Sequence, residues 1–142
     1  MKNPVFLGLA AVLLVAADRP DFSGEWKIDP GASRTAPIAP PKTQTLTIVH
    51  RDPEMSVAQR TATGLPRDYR YLTNGEMTRN ESPHGAKLES RAVWDGTGLS
   101  IRTLMSTSLL SATMQERWSL SADGKTLEID REGKIYVYRK KR

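Results

Sequence analysis

The chain reads as an all-β domain, an up-and-down antiparallel barrel of eight to ten strands, and three observations predict it. The first is the stretch Glu116 to Arg131, ERWSLSADGKTLEIDR, where apolar and polar residues alternate on both sides of an Asp123-Gly124 turn. Strands alternate in this way when one face is buried and the other wet. The second is the number of such runs: about ten, each joined to the next by a short turn except across one proline-rich segment. The third is closure, since a meander of this kind removes its exposed edges most simply by pairing its first strand, Phe22 to Ile28, with its C-terminal strands.

Taking Asp123 and Gly124 as loop residues sets Leu120 against Leu127, Trp118 against Ile129 and Glu116 against Arg131, all facing inward. Glu116 and Arg131 are expected to pair with each other, because charges on a buried face persist mainly as partners. In the first strand Phe22, Gly24, Trp26 and Ile28 share a face, and Gly24 lets a neighbour approach closely where a side chain would collide. Asp29 to Lys42, with Pro30, Pro37, Pro40 and Pro41, supports no regular ladder and reads as a loop crossing one end of the barrel. Gln44 to His50 and Met55 to Thr61 form a hairpin around Asp52-Pro53-Glu54, with Leu46, Ile48, Met55 and Val57 inward, then Gln59 and Thr61.

Asp68 to Thr73 and Glu76 to Glu81 flank Asn74-Gly75, the strongest short hairpin signal in the chain. That register points Tyr69, Tyr71, Thr73, Thr78 and Asn80 one way and sets Arg70 against Arg79 on the outside. Pro83-His84-Gly85 leads into Ala86 to Trp94, with Leu88, Ala92 and Trp94 inward. Asp95 to Gly98 closes the next hairpin, so that Trp94 faces Leu99, Ala92 faces Ile101, and Arg91 faces Arg102 outward. Ser106 to Ser111 reads as a loop whose Leu109 and Leu110 gate a mouth, tuck onto the core, or cap a longer hairpin. Glu132-Gly133 turns the chain into its last strand, Lys134 to Tyr138.

At 142 residues there is room for one domain and one core. No cysteine is present, which excludes disulfides, thiolate metal sites, cysteine nucleophiles and a lipoprotein anchor. The formal charge is +5, and the basic residues are scattered except in Arg139-Lys140-Lys141-Arg142, a frayed solvated end or a contact for polyanions. Met1 to Ala17 has Lys2, an apolar run from Val5 to Val15 and small residues at Val15 and Ala17, the pattern of a cleavable signal peptide. The run is shorter than the roughly 20 residues of a membrane span. The expected mature domain is therefore 18–142, periplasmic or secreted, with Lys2 removed and the charge lowered from +5 to +4.

The segments FSGEWKIDP, PKTQTLTI, AVWDGTGLSI and ERWSLSADGKTLEIDR resemble small exported bacterial lipocalin-like β-barrel proteins, and the likeness spans most of the mature chain. Gly24-x-Trp26 is similar to the first-strand Gly-x-Trp of lipocalins, whose tryptophan packs beneath the barrel against an arginine of the last strands. The resemblance implies Arg131 as that partner, and a barrel able to hold a small molecule.

No catalytic constellation is present. His50 and His84 lie in no metal-ligand spacing, glycine-rich phosphate loops are absent, and the aromatics follow the core phase rather than an exposed stacking face, so neither enzyme chemistry, a cofactor, a metal nor nucleic acid is expected. The leading expectation is a non-catalytic exported binding protein for a small, partly apolar ligand. Gln59, Thr61, Tyr69, Tyr71, Thr78 and Asn80 would orient the ligand's polar part, and Trp26, Leu88, Ile101 and Trp118 would line the apolar part. The alternative is a filled barrel acting as an interaction module, a secreted-enzyme inhibitor or envelope-associated scaffold. The facing arginines Arg70, Arg79, Arg91 and Arg102 read either as a solvated face compensated by diagonal Glu81 and Glu89 or as a docking surface for an anionic envelope component.

Overall fold

The computed structural model describes residues 19–142, so the expected signal peptide, 1–17, lies outside the described residues. Ten strands follow in order: β1 (Gly24–Ile28), β2 (Gln44–Arg51), β3 (Glu54–Thr61), β4 (Arg67–Leu72), β5 (Thr78–Glu81), β6 (Lys87–Asp95), β7 (Gly98–Ser106), β8 (Ser111–Leu120), β9 (Thr126–Arg131) and β10 (Lys134–Lys140). They form one antiparallel sheet in the order β4-β3-β2-β1-β10-β9-β8-β7-β6-β5. Its first and last strands pair, Trp26 opposite Lys140 and Ile28 opposite Tyr138, as closure requires. The inward positions of the alternating runs make the core, with Phe22, Trp26, Leu46, Leu99, Ile101 and Leu127 fully buried.

Turn chemistry sets the registers. Gly124 takes a φ of 71° in a four-residue loop closed by Ser121 N–H donating to the Thr126 carbonyl at 2.9 Å. Glu116, Trp118 and Leu120 then face Arg131, Ile129 and Leu127, as the alternation predicts. Gly96 and Thr97 close the β6–β7 hairpin, placing Trp94 opposite Leu99, Ala92 opposite Ile101 and Arg91 opposite Arg102. Gly24, at a φ of 142°, leaves the Lys140 side chain its place: an added Cβ would lie 2.9 Å from Lys140 Cε.

The Asn74-Gly75 hairpin does not form. Asn74 bridges to Val93 on β6, Gly75 N–H donates to the Ala92 carbonyl at 2.9 Å, and the Asn74 side chain accepts from Glu76 N–H at 3.0 Å. The turn residues are thereby held by β6, and β5 pairs with β6 alone. Arg79 consequently faces Glu89, while Arg70 faces Ser56 across β3, so the expected Arg70–Arg79 pair is absent. The β4–β5 seam is bridged instead by one side chain: the Asn80 amide accepts from Arg70 N–H at 2.8 Å and donates to the Arg70 carbonyl at 2.9 Å, replacing a backbone partner. Asn80→Ala is expected to cost about 1–2 kcal/mol, the net worth of two such bonds at an exposed site. Urea unfolding and faster hydrogen exchange at the Arg70 amide would show it; unchanged exchange there would mean that the seam is held by other contacts.

One expectation is refined and two more are corrected. The proline-rich segment begins by running along β10, since Arg34 bridges to Ile135 and Asp29 N–H donates to the Val137 carbonyl at 2.7 Å. The basic tail is no frayed end, since β10 continues to Lys140, Lys141 Nζ lies 3.0 Å from Glu25, and Arg139 Nε lies 3.1 Å from Asp29. Leu109 and Leu110 do not tuck onto the core. Ser106 pairs with Ser111, and both leucines stand exposed at the tip of a longer hairpin.

Candidate functional site

The strands enclose a cavity of about 240 Å³. Its deep wall is apolar, built from Leu46, Val57, Trp118 and Ile129. Higher up lie Gln59 and Arg67 of β3 and β4, Leu88 of β6, Met105 and Met114 of β7 and β8, and Arg131 at the end of β9. All six occupy the strand ends at one end of the barrel, which is therefore the mouth. Two aromatic contacts shape one side: Tyr69 and Tyr71 meet edge to face at 6.5 Å, and Tyr71 meets Trp118 at 6.4 Å. On the opposite wall the Ser90 and Thr103 hydroxyls lie 2.7 Å apart and satisfy each other.

Glu116, only 4% exposed, accepts on one carboxylate oxygen from Arg131 Nη2 at 3.1 Å and Trp118 Nε1 at 3.4 Å. Burial opposes the charge on Arg131, but Glu116 more than offsets this and holds the guanidinium's pKa above its ordinary value. The two groups thus form a salt bridge inside the cavity wall. Arg131 also lies over the Tyr136 ring, 5.1 Å from its centroid, and its buried Nε has no hydrogen-bond partner. Burial raises the Tyr71 phenol well above its ordinary pKa, and the Glu116 charge raises it further, so Tyr71 remains a neutral hydroxyl. Among the described residues neither that hydroxyl nor the Gln59 amide makes a side-chain hydrogen bond within the protein.

Of the residues expected to line a ligand site, Gln59, Tyr69, Tyr71, Leu88 and Trp118 meet at this cavity. The other five lie elsewhere. Trp26 and Ile101 are fully buried in the core, Thr61 accepts from Gly64 N–H at 3.0 Å, Thr78 donates to the Ser90 carbonyl at 3.4 Å, and Asn80 closes the seam. Arg131 is not the partner of Trp26: Lys140, facing Trp26 across the β1–β10 ladder, places its Nζ 5.5 Å from the ring centroid. Ser90 and Thr103 were not expected at the cavity, although Ser90 stands between inward Leu88 and Ala92 and the alternation alone would have found it.

The opposite end is plugged. Phe22 stacks on His50 at 5.6 Å and on Trp94 at 5.9 Å, and its carbonyl accepts from Trp26 Nε1 at 3.0 Å. Phe22 N–H donates to His50 Nδ1 at 3.1 Å, which leaves the proton of the neutral ring on Nε2, 2.6 Å from Asp52. Ser23 Oγ bonds the His50 backbone and not its ring, so this Ser, His and Asp do not make a nucleophile and base. Their role is to hold the plug.

For Asp52, burial pushes the carboxyl pKa upward, but hydrogen bonds from His50 and Thr73 outweigh it and bring the pKa below 3.8. A carboxyl lowered in this way contributes stability in full above its unfolded value, and the contribution is lost as pH falls through the folded value. Asp52→Asn should therefore lower stability above pH 3.8 and flatten its decline below that pH. Urea unfolding on both sides of pH 3.8 checks this; parallel curves for the two proteins would contradict it.

No protein-family model matches the chain, and no curated protein matches it. Solved structures do. Zebrafish ileal bile acid-binding protein, in complex with cholic acid, superposes with a TM-score of 0.62 at 15% identity over 84% of this chain and 98% of its own. The fluorescent protein UnaG gives 0.61 at 18% identity, over 84% and 97%. The REP1-NXSQ fatty acid transporter gives 0.60 at 11% identity, over 86% and 97%. The chain is therefore similar in fold, across nearly the full length of each, to lipocalin-like β-barrels.

Proposed function

We propose that this protein is a non-catalytic carrier or scavenger whose barrel holds one small, partly apolar molecule. The observation that carries the reading is a cavity with an apolar floor and, above it, polar atoms that no protein group satisfies: the Tyr71 hydroxyl and the Gln59 amide. Such atoms on a cavity wall await a partner, since unpaired buried donors are costly. The part of the ligand held on the floor is uncharged, because Glu116 and Arg131 already neutralise each other there, and it carries a polar group for Tyr71 and Gln59; Arg67, which makes no ion pair among the described residues, stands at the mouth. It is also small. About 240 Å³ lies below the roughly 300–1,000 Å³ of drug-sized pockets. Fold neighbours that bind cholic acid or carry fatty acid support the class of function, not the ligand. The filled-barrel alternative leaves the cavity without an account.

Titrating small alcohols, ketones and lactones against the matching carboxylates and amines, with tryptophan fluorescence as readout and Trp118→Phe as control, tests the reading. Saturable binding of the neutral compounds alone is expected; binding of the carboxylates alone would refute the charge argument. We also propose export. The mass of the protein recovered from its host should correspond to a chain beginning at Asp18, and retention of Met1 would rule this out.

A further inference from the structure

The β7–β8 hairpin differs from the rest of the surface in charge. Residues 104–115, LMSTSLLSATMQ, contain no Asp, Glu, Lys or Arg, in a chain that is 26% charged. Apart from Met105, whose side chain lines the cavity, three apolar side chains of this stretch are exposed: Leu104 and, at the tip, Leu109 at 91% and Leu110 at 64%. Single exposed leucines are ordinary, but three such residues on one uncharged stretch mark a contact surface.

The hairpin also stands above its neighbour. β9 follows β8 only to Arg131 opposite Glu116, and Glu132 still bonds Gln115, so 111–114 run on for about 14 Å, at roughly 3.4 Å per residue, with no strand on that side. On the other side β6 follows β7 to Lys87 opposite Ser106. This high wall stands at the cavity mouth, and Met105 and Met114 of the same hairpin line the cavity.

Below the tip the outer face of the wall is basic. Arg91 faces Arg102 directly, an arrangement that opposes strand pairing. Asp95 lies 3.6 Å from Arg117, which leaves Glu89, opposite both Arg79 and Leu104, as a single carboxylate against the three cations Lys87, Arg91 and Arg102. Among the described residues Lys87, Arg91 and Arg102 make no ion pair. We propose that this wall docks on an anionic lipid surface, with Leu109 and Leu110 entering the headgroup region and Lys87, Arg91 and Arg102 meeting lipid phosphates. Exposed leucines next to unpaired cations are the combination that interfacial binding uses. A second copy of the chain fits less well, because a two-fold contact would set the same arginines against each other. Docking brings the cavity mouth to the membrane, a source for a partly apolar ligand.

Cosedimentation of the protein purified from its host tests this, with vesicles of phosphatidylcholine alone and of phosphatidylcholine mixed with phosphatidylglycerol. Binding to the mixed vesicles should be about tenfold tighter or more and should weaken with salt. Leu109→Ser/Leu110→Ser should lose about tenfold, and Arg91→Gln/Arg102→Gln should flatten the salt dependence. All four positions are exposed, so circular dichroism and ligand binding without vesicles should be unchanged; the docking and cavity readings therefore fail separately. Equal binding to both vesicle types, no binding, or variants indistinguishable from the wild type would overturn the proposal. A solution dimer lost on removing the leucines would assign the surface to a second copy instead.

Discussion

Replacing Arg131 with methionine should destabilise the protein by about 3–5 kcal/mol, because it strands the Glu116 carboxylate in the cavity wall. Glu116 is only 4% exposed, and among the described residues its one remaining donor is Trp118 Nε1 at 3.4 Å. Removing Glu116 instead should cost less, since the Arg131 side chain is 37% exposed and can recruit water. Glu116→Leu combined with Arg131→Met should lie close to the wild type, as apolar replacements of buried pairs often do. Urea unfolding of the four proteins gives the coupling, expected to be at least about 3 kcal/mol in magnitude, the cost of Arg131→Met alone and the upper end of the range for contacting residues. Strictly additive losses would mean that the two groups do not act as a pair.

Phe22→Ala should cost a comparable amount, about 3–5 kcal/mol. Phe22 is fully buried in the plugged end, stacked on His50 and Trp94 and edge-on to Trp118 at 6.0 Å. Its removal leaves a cavity where the chain enters the barrel, so the loss should come with early hydrogen exchange in the segment before β1. Val49→Ala, at an outward-facing exposed position on β2, should change stability by less than about 0.5 kcal/mol. Equal effects at the two sites would remove Phe22 from its role as the plug.

The Glu116–Arg131 pairing was legible because a turn and a period of two suffice to align neighbouring strands. The same logic found the closing pair of first and last strands, and it found Gln59, Tyr69, Tyr71, Leu88 and Trp118 as inward residues. Alternation separates inside from outside but carries no height along the barrel axis. Trp26 and Ile101 point inward as expected, yet they lie in the packed core. The Asn74-Gly75 signal misled because it is local: the turn is made, but its backbone bonds go to Val93 and Ala92 on β6, some 18 residues away in sequence, and Asn80 is drawn into the seam. The path of the proline-rich segment depends likewise on Arg34 meeting Ile135, a contact that no short pattern encodes.

The central claim is that the barrel is occupied by a small molecule, and native mass spectrometry of the protein from its own host tests it most directly. Leu88→Trp is the comparison, because Leu88 lines the mouth side of the cavity and a larger ring there fills space without touching the Glu116–Arg131 pair. The wild type should carry one small molecule per chain, and the variant, shown by urea unfolding to be folded, should carry none. A bare wild-type mass, or the same bound mass on both proteins, would contradict the account.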